Sequence, residues 1–124
     1  MKTKSMNHTD AIAEIIEVIP QCQEEFKEKY RTNNSFMDIS TFTKQIKTLV
    51  QENNQKLLRN SIEKMNLLYE KGDTALKNAI ENIFVFSLDS LTFSCDSNCR
   101  KLVFEGISTT LSNKYLSQVY KSGI

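Results

Sequence analysis

Within the stretch Leu67-Leu68-Tyr69-Glu70-Lys71-Gly72-Asp73-Thr74-Ala75-Leu76 the sequence ends one helix and starts another. An apolar-periodic run closes on Lys71, Gly72 stands where a left-handed residue would terminate a helix, and the Asp73 carboxylate can cap the next one. Helices joined this tightly must lie against each other. With only three glycines and one proline in the chain, the many short turns of a sandwich or barrel have little to be built from. The expected fold class is therefore all-α.

At 124 residues the chain fits one domain that buries roughly two-thirds of its unfolded surface, with no need of disulfides or metal. Residues 1–8 read as a flexible tail and 9–124 as the helical domain. The formal net charge of +1 supplies no global field for nucleic acid or an acidic membrane. The longest apolar stretch, Ile83 to Phe86, falls far short of the ~20 residues that cross a bilayer, so no membrane partner is expected. Lys2 and Lys4 precede a segment broken by Glu14 and Glu17, unlike a secretory signal. Cys22, Cys95 and Cys99 are odd in number and form no CxxC pair, which suits a reducing, cytoplasmic setting.

The helical segments follow from apolar spacing. Thr9 or Asp10 can cap a first helix with Ile12, Ile15, Ile16 and Ile19 on one face, and Pro20 interrupts it and opens a second carrying Cys22, Phe26 and Tyr30. Asn33-Asn34-Ser35 reads as a loop, after which Asp38 or Ser40 restarts a helix with Phe42, Ile46, Leu49 and Val50 inward. The pattern lapses across Gln51 to Gln55 and resumes from Leu57 to Tyr69, giving two antiparallel helices. After Asp73, the positions Leu76, Ala79, Ile80, Ile83, Phe84, Phe86, Leu88 and Leu91 cover about half the circumference at ~100° per residue, with Val85 outside the arc. This segment is expected to be the central helix, with Asn78, Glu81, Asn82 and Asp89 at its wet edge. Ser97 can cap a helix with Leu102, Val103, Phe104, Ile107 and Leu111, weakened by Gly106, and Ser112 a last one with Tyr115, Leu116, Val119 and Tyr120, ending near Gly123. The expectation is five to seven antiparallel helices. A compact bundle and a short HEAT-like stack are both compatible with it.

Candidate chemistry is sparse. Cys95 and Cys99, with Cys22 and His8, have the ligand types for zinc, but without the paired close-set motifs of structural zinc sites. Cys99 near a helix N-terminus could carry a lowered thiol pKa and respond to redox. His8 is the only histidine, so any histidine-activated nucleophile would have to use it. Glu24, Glu25 and Glu28 share their helix with Lys27 and Lys29, as solvated helix faces commonly do. No Glu-x-x-His and no Gly-rich phosphate loop occurs, and Lys44, Lys47, Lys56 and Arg59 are diluted by acids. The sequence thus predicts no cofactor, no metal and no nucleic acid.

Phe42, Ile46, Leu58, Ile62 and Met65, the Glu70-Lys71-Gly72-Asp73 junction and Asn78-Ala79-Ile80-Glu81-Asn82-Ile83-Phe84 resemble a family of small bacterial helical proteins catalogued as a domain of unknown function. The likeness covers Ile39 to Leu91. It implies an all-α fold and a bacterial source, assigns no activity and carries over no functional residue. Some small proteins of this look are similar to immunity proteins encoded beside toxins, an analogy of fold and size.

Three readings of function remain. The first is a non-enzymatic protein-interaction module, an immunity-type inhibitor or accessory subunit, whose acidic helix pair meets a basic partner through Glu24, Glu25 and Glu28. The second is a metal or redox sensor using Cys95 and Cys99. The third is an enzyme with its site among Asn78, Glu81 and Asn82, for which a buried Glu81 would be the first sign.

Overall fold

The structure, a computed structural model, describes residues 5–28 and 34–122, the side chains of residues 28, 121 and 122 excepted. The tail residues 1–4, Tyr30, Asn33 and Gly123 lie outside the described residues. The chain forms a compact all-α bundle: α1 (His8–Val18), α2 (Cys22–Glu28), α3 (Ser35–Gln51), α4 (Gln55–Lys71), α5 (Thr74–Ala79), a π-helical turn (Ile80–Val85), α6 (Leu88–Thr92), α7 (Ser97–Gly106) and α8 (Thr109–Ser122). Since α5, the π turn and α6 run on as one interrupted rod, the described residues form seven rods.

Met6, Asn7 and His8, read from the sequence as part of the tail, stand at the start of α1. Asn7 caps α1 by accepting from the Asp10 amide at 3.0 Å, and the Asp10 carboxylate accepts from the Asn7 amide at 3.1 Å, a closed capping box that displaces the expected cap at Thr9 or Asp10. Just before it, the Met6 amide donates to the Lys71 carbonyl and the Asp73 amide donates to the Met6 carbonyl, both at 2.8 Å. This single parallel bridge ties the start of the domain to the α4–α5 junction.

At that junction Asp73 caps α5 as expected, its carboxylate accepting from the Leu76 amide at 2.9 Å. Gly72 is extended, at φ −70° and ψ 156°, rather than left-handed. Its requirement is space: a Cβ there would sit 2.5 Å from the Leu68 carbonyl oxygen and 2.8 Å from a Leu76 methyl. The left-handed residue is instead Asn53, at φ 55°, in the turn that separates α3 from α4.

Other caps also move. Asn34, not Asp38 or Ser40, caps α3 by accepting from the Met37 amide, so Asp38 lies inside the helix and is fully buried. Asp96, not Ser97, caps α7. The expected break at Ser112 is absent, because the turn lies earlier: the Asn66 side chain donates to the Gly106 carbonyl and accepts from the Ser108 amide, each at 2.9 Å, and α8 then runs unbroken.

The core joins Ile15 and Ile19 of α1, Phe42 and Ile46 of α3, Leu58, Ile62 and Met65 of α4, Phe84 and Leu88 of the rod, and Val103 and Leu111. The rod is buried, as its wide apolar arc demands. The hub, however, is α3, which packs against α1, α2, α4, α5, the π turn and α6. The π turn also corrects the phase. Opening the helix to i→i+5 inserts one residue, so after Ile80 the inward positions become Phe84, Val85, Leu88 and Leu91. Val85 is therefore buried, Ile83 half-buried, and Phe86, expected inside, is 77% exposed.

Candidate functional site

The phase slip at Ile80–Val85 sets the chemistry of the adjoining surface. Phe86 is turned out beside a groove of about 610 Å³ between the rod and α8, lined by Asn82, Val85, Phe86 and Asp89 on one side and Tyr115, Gln118 and Val119 on the other. α8 is held there by polar ties: Tyr115 donates its hydroxyl proton to Asp89 at 2.6 Å, and the Gln118 amide donates to the Glu81 carbonyl at 3.0 Å. The Tyr115 ring also meets Phe104 in a tilted pair with centroids 5.1 Å apart. The hydrogen bond to Asp89, then burial, raises the Tyr115 pKa.

Phe86 has exposed apolar company. Phe93, at the end of the same rod, is 84% exposed, and on α8 Leu116, Val119 and Tyr120 stand out at i, i+3 and i+4 as one stripe. Five of the six large exposed hydrophobics among the described residues belong to this rod and α8, with Phe36 on α3 the sixth. Of these, Phe86 and Val119 line the groove, and exposed aromatic side chains beside a groove are common material of protein interfaces. Sequence periodicity hid Phe86 because it assumed an unbroken α-helix; the placement of Val85 outside the apolar arc was the one sign of trouble.

The expected acidic face is less uniform than its sequence suggests. Glu24 is exposed, with Lys27 3.9 Å away, while Glu25 is half-buried and accepts from the Gln45 side chain at 2.9 Å. The Glu28 side chain lies outside the described residues. Upstream, Lys64 of α4 binds Glu14 at 2.7 Å and Glu17 at 3.4 Å, so these two carboxylates staple α1 to α4. On the α4–α7 side, Arg59 and Lys101 share a groove with Glu63 and Glu105.

Glu81 is partly buried and accepts from the Tyr69 hydroxyl at 2.5 Å, with Lys114 3.8 Å away. Burial first, and Glu81 second, push the Tyr69 pKa up to about 12. Asn78 and Asn82 lie apart from these partners, on a cavity of about 510 Å³ that His8 also lines. His8 does not join the cysteines: its Nδ1 meets Asp38 Oδ2 at 3.2 Å. Asp38 Oδ1 has no partner among the described residues, and burial, partly opposed by His8, raises this carboxyl to about 6.

The four residues considered for zinc are likewise not assembled, and among the described residues no group of three or more His, Cys, Asp or Glu side chains converges. Cys22 is buried under α2, where burial and then Glu25 push its thiol up to about 11. Cys95 and Cys99 flank the start of α7, but Cys99 is not the acidified thiol its helix N-terminus suggested. Burial, then the hydrogen bond with Cys95, push it up to about 12.

Among the described residues no helix is long and apolar enough to cross a membrane. No curated protein and no solved structure matches the chain. A family model does match, over residues 12–121, and the protein accordingly belongs to the family described as Domain of unknown function (DUF7674).

Proposed function

We propose that this protein is a non-enzymatic protein-interaction module of the bacterial cytoplasm, an immunity-type inhibitor or accessory subunit, that receives an apolar ridge of a partner protein in the groove between its interrupted rod and α8. The observation that carries this reading is the concentration of exposed Phe86, Phe93, Leu116 and Tyr120 on those two elements. The character of the groove favours a protein over a small polar ligand. Asp89, Tyr115 and Gln118 already hold one another's elements together, and the exposed Phe86 ring is the apolar side chain the groove offers a partner.

The polar candidates have structural employment. Glu81 holds Tyr69, Lys64 holds Glu14 and Glu17, and Asp38 holds His8. This use of the titratable groups supports a binding role over catalysis.

The test compares tagged wild type, F86D and an E24K/E25K variant in pull-downs from the source lysate, with light scattering of each purified protein. One stoichiometric partner retained by wild type and the charge-reversal variant but lost from F86D supports the groove. Retention by F86D with loss from E24K/E25K moves the interface to the acidic pair. A wild-type dimer that F86D converts to monomer assigns the groove to self-association, and no retained protein at low salt overturns the reading.

A further inference from the structure

Along α3, Ser40, Thr43, Lys44 and Lys47 stand at i, i+3, i+4 and i+7 on one helix face, and no acid follows Asp38 within the helix. With Ile83, Ser87, Ser90 and Leu91 of the interrupted rod they line a cavity of about 250 Å³, which shares no residue with the groove beside α8. The lining holds no carboxylate. Asp89, next to Ser90 in the rod, accepts from Tyr115 instead. Neither lysine forms an ion pair among the described residues. Ser87 and Ser90 have committed their protons to the carbonyls of Ile83 and Ser87, at 2.5 and 3.0 Å. Thr43 differs from them. It is 8% exposed, and its Oγ1 is buried with no hydrogen-bond partner among the described residues. A helical threonine can return its hydroxyl to the carbonyl four residues back, as Thr48 does to Lys44 at 3.2 Å and Thr92 to Leu88 at 2.7 Å. Thr43 leaves that donor unused, in the wall of a cavity that two lysines also line.

We propose that this cavity binds the phosphate group of a small phosphomonoester or of inorganic phosphate, at a site independent of the α8 groove. A phosphomonoester carries roughly −1.5 to −2 charge at pH 7 and three strong acceptor oxygens, which match two lysine cations and one unspent buried hydroxyl. Lysine serves phosphate as a point charge on a flexible stem, so the exposed Lys44 and Lys47 side chains can converge on an anion from either side. Their like charges are neighbours on the helix surface and repel; a dianion between them replaces that repulsion with attraction. A buried hydroxyl without a partner bears the cost of its lost hydration. A phosphate oxygen accepting from Thr43 Oγ1 removes that cost, and the half-buried Ser40 offers a second hydroxyl. The cavity, at about 250 Å³, is smaller than the roughly 300 Å³ at which pockets for drug-sized ligands begin. That size suits a phosphate group rather than a nucleotide, with Ile83 and Leu91 as an apolar wall for a short carbon chain.

The full chain, in a phosphate-free buffer, is titrated with inorganic phosphate and separately with glycerol phosphate, against sodium chloride of matched ionic strength, and read by amide NMR shifts and calorimetry. The expected result is saturable binding, with the shifts confined to residues 40–47 and 83–91 around the cavity. Thr43→Val keeps the branched shape without the hydroxyl and weakens binding about tenfold, the scale of a hydrogen bond to a charged group; Thr43→Ser restores it. K44Q/K47Q, which alters only exposed side chains, abolishes saturation. Tighter binding of glycerol phosphate than of inorganic phosphate assigns the site to an ester, and the reverse order assigns it to the free ion. Shifts that sodium chloride reproduces, shifts that never saturate or fall outside the two segments, or wild-type affinity in Thr43→Val overturn the proposal. The wild-type titration can refute it without any variant, so a substitution that fails to fold leaves the test intact.

Discussion

Replacing Asp38 with asparagine should remove the pH dependence that this one carboxyl imposes on stability. Asp38 is fully buried, with Oδ1 unpartnered among the described residues and only the half-exposed His8 on Oδ2. Burial therefore holds its pKa at about 6, against 3.8 ordinarily. The folded protein keeps a proton that the unfolded chain releases, so stability falls as pH rises through that interval and the penalty is complete once pH exceeds the folded value. A shift of roughly two units at about 1.4 kcal/mol each gives a full penalty of roughly 3 kcal/mol, of which roughly 2 accrues between about pH 4.5 and 7.5. Asn preserves the shape and an acceptor for His8 but removes the charge. Urea melts of wild type and D38N across that range isolate the Asp38–His8 pair, because titrating groups that do not touch Asp38 cancel in the difference. The advantage of D38N should grow by roughly 2 kcal/mol towards pH 7.5, equivalent to a relative rise in Tm of about 5–10 °C. A difference constant to within ~0.5 kcal/mol, or one that shrinks as pH rises, refutes the argument that burial governs this group.

Phe84 is fully buried at the centre of the interrupted rod; Phe84→Ala should cost ~3–5 kcal/mol in a denaturant melt, and a loss below about 1 kcal/mol would contradict its place in the core. Gly72→Ala should destabilise by ~1–3 kcal/mol, because the added methyl meets a backbone oxygen at 2.5 Å. Gly106→Ala should be much milder, since its nearest obstacle is an Ile62 methyl at 3.1 Å and the substitution gains helix propensity. Equal losses at the two glycines would show that close backbone approach is not what Gly72 serves.

The class of fold was legible because it rests on local chemistry: scarce turn formers, an apolar stripe in each segment, and an Asp73 cap that the structure reproduces. Cap positions were less so. Asn7, Thr9 and Asp10 all lie near one helix start, and Asn34, Asp38 and Ser40 near another; the choice falls to the geometry of chain entry, which spacing does not record. Gly72 was located correctly for the wrong reason. Its need for space comes from the Leu68 carbonyl and Leu76, and its bridge to Met6 spans most of α1 to α4, a contact invisible to any short window. The same non-locality concealed the His8–Asp38 pair, thirty residues apart in the chain. Cys95 and Cys99 flank one helix start because their spacing in the chain is short, although the direction of the Cys99 shift was set by burial, not by the helix N-terminus.

The exposed Phe86 ring has two explanations of unequal reach. A continuous α-helix would bury Ile83 and Phe86 and expose Val85; the π turn instead buries Phe84 and Val85 side by side and leaves Phe86 in water. Burying a Phe side chain is worth roughly 1.5–3 kcal/mol, so the protein forgoes a sizeable term at that residue. Packing accounts for part of this, because the π turn packs against α3, and two hydroxyls turn back onto the rod: Ser87 onto the Ile83 carbonyl and Thr92 onto that of Leu88. Packing of the rod does not account for α8, where Leu116 and Tyr120 project from regular α-helix built by a separate segment. Two elements with unrelated local reasons for their geometry thus expose apolar side chains, and Phe86 of one and Val119 of the other line the groove between them. A coincidence of packing explains either element alone, whereas a surface shaped for an apolar partner explains both, and that difference gives Phe86 priority over the acidic pair in mapping the interface.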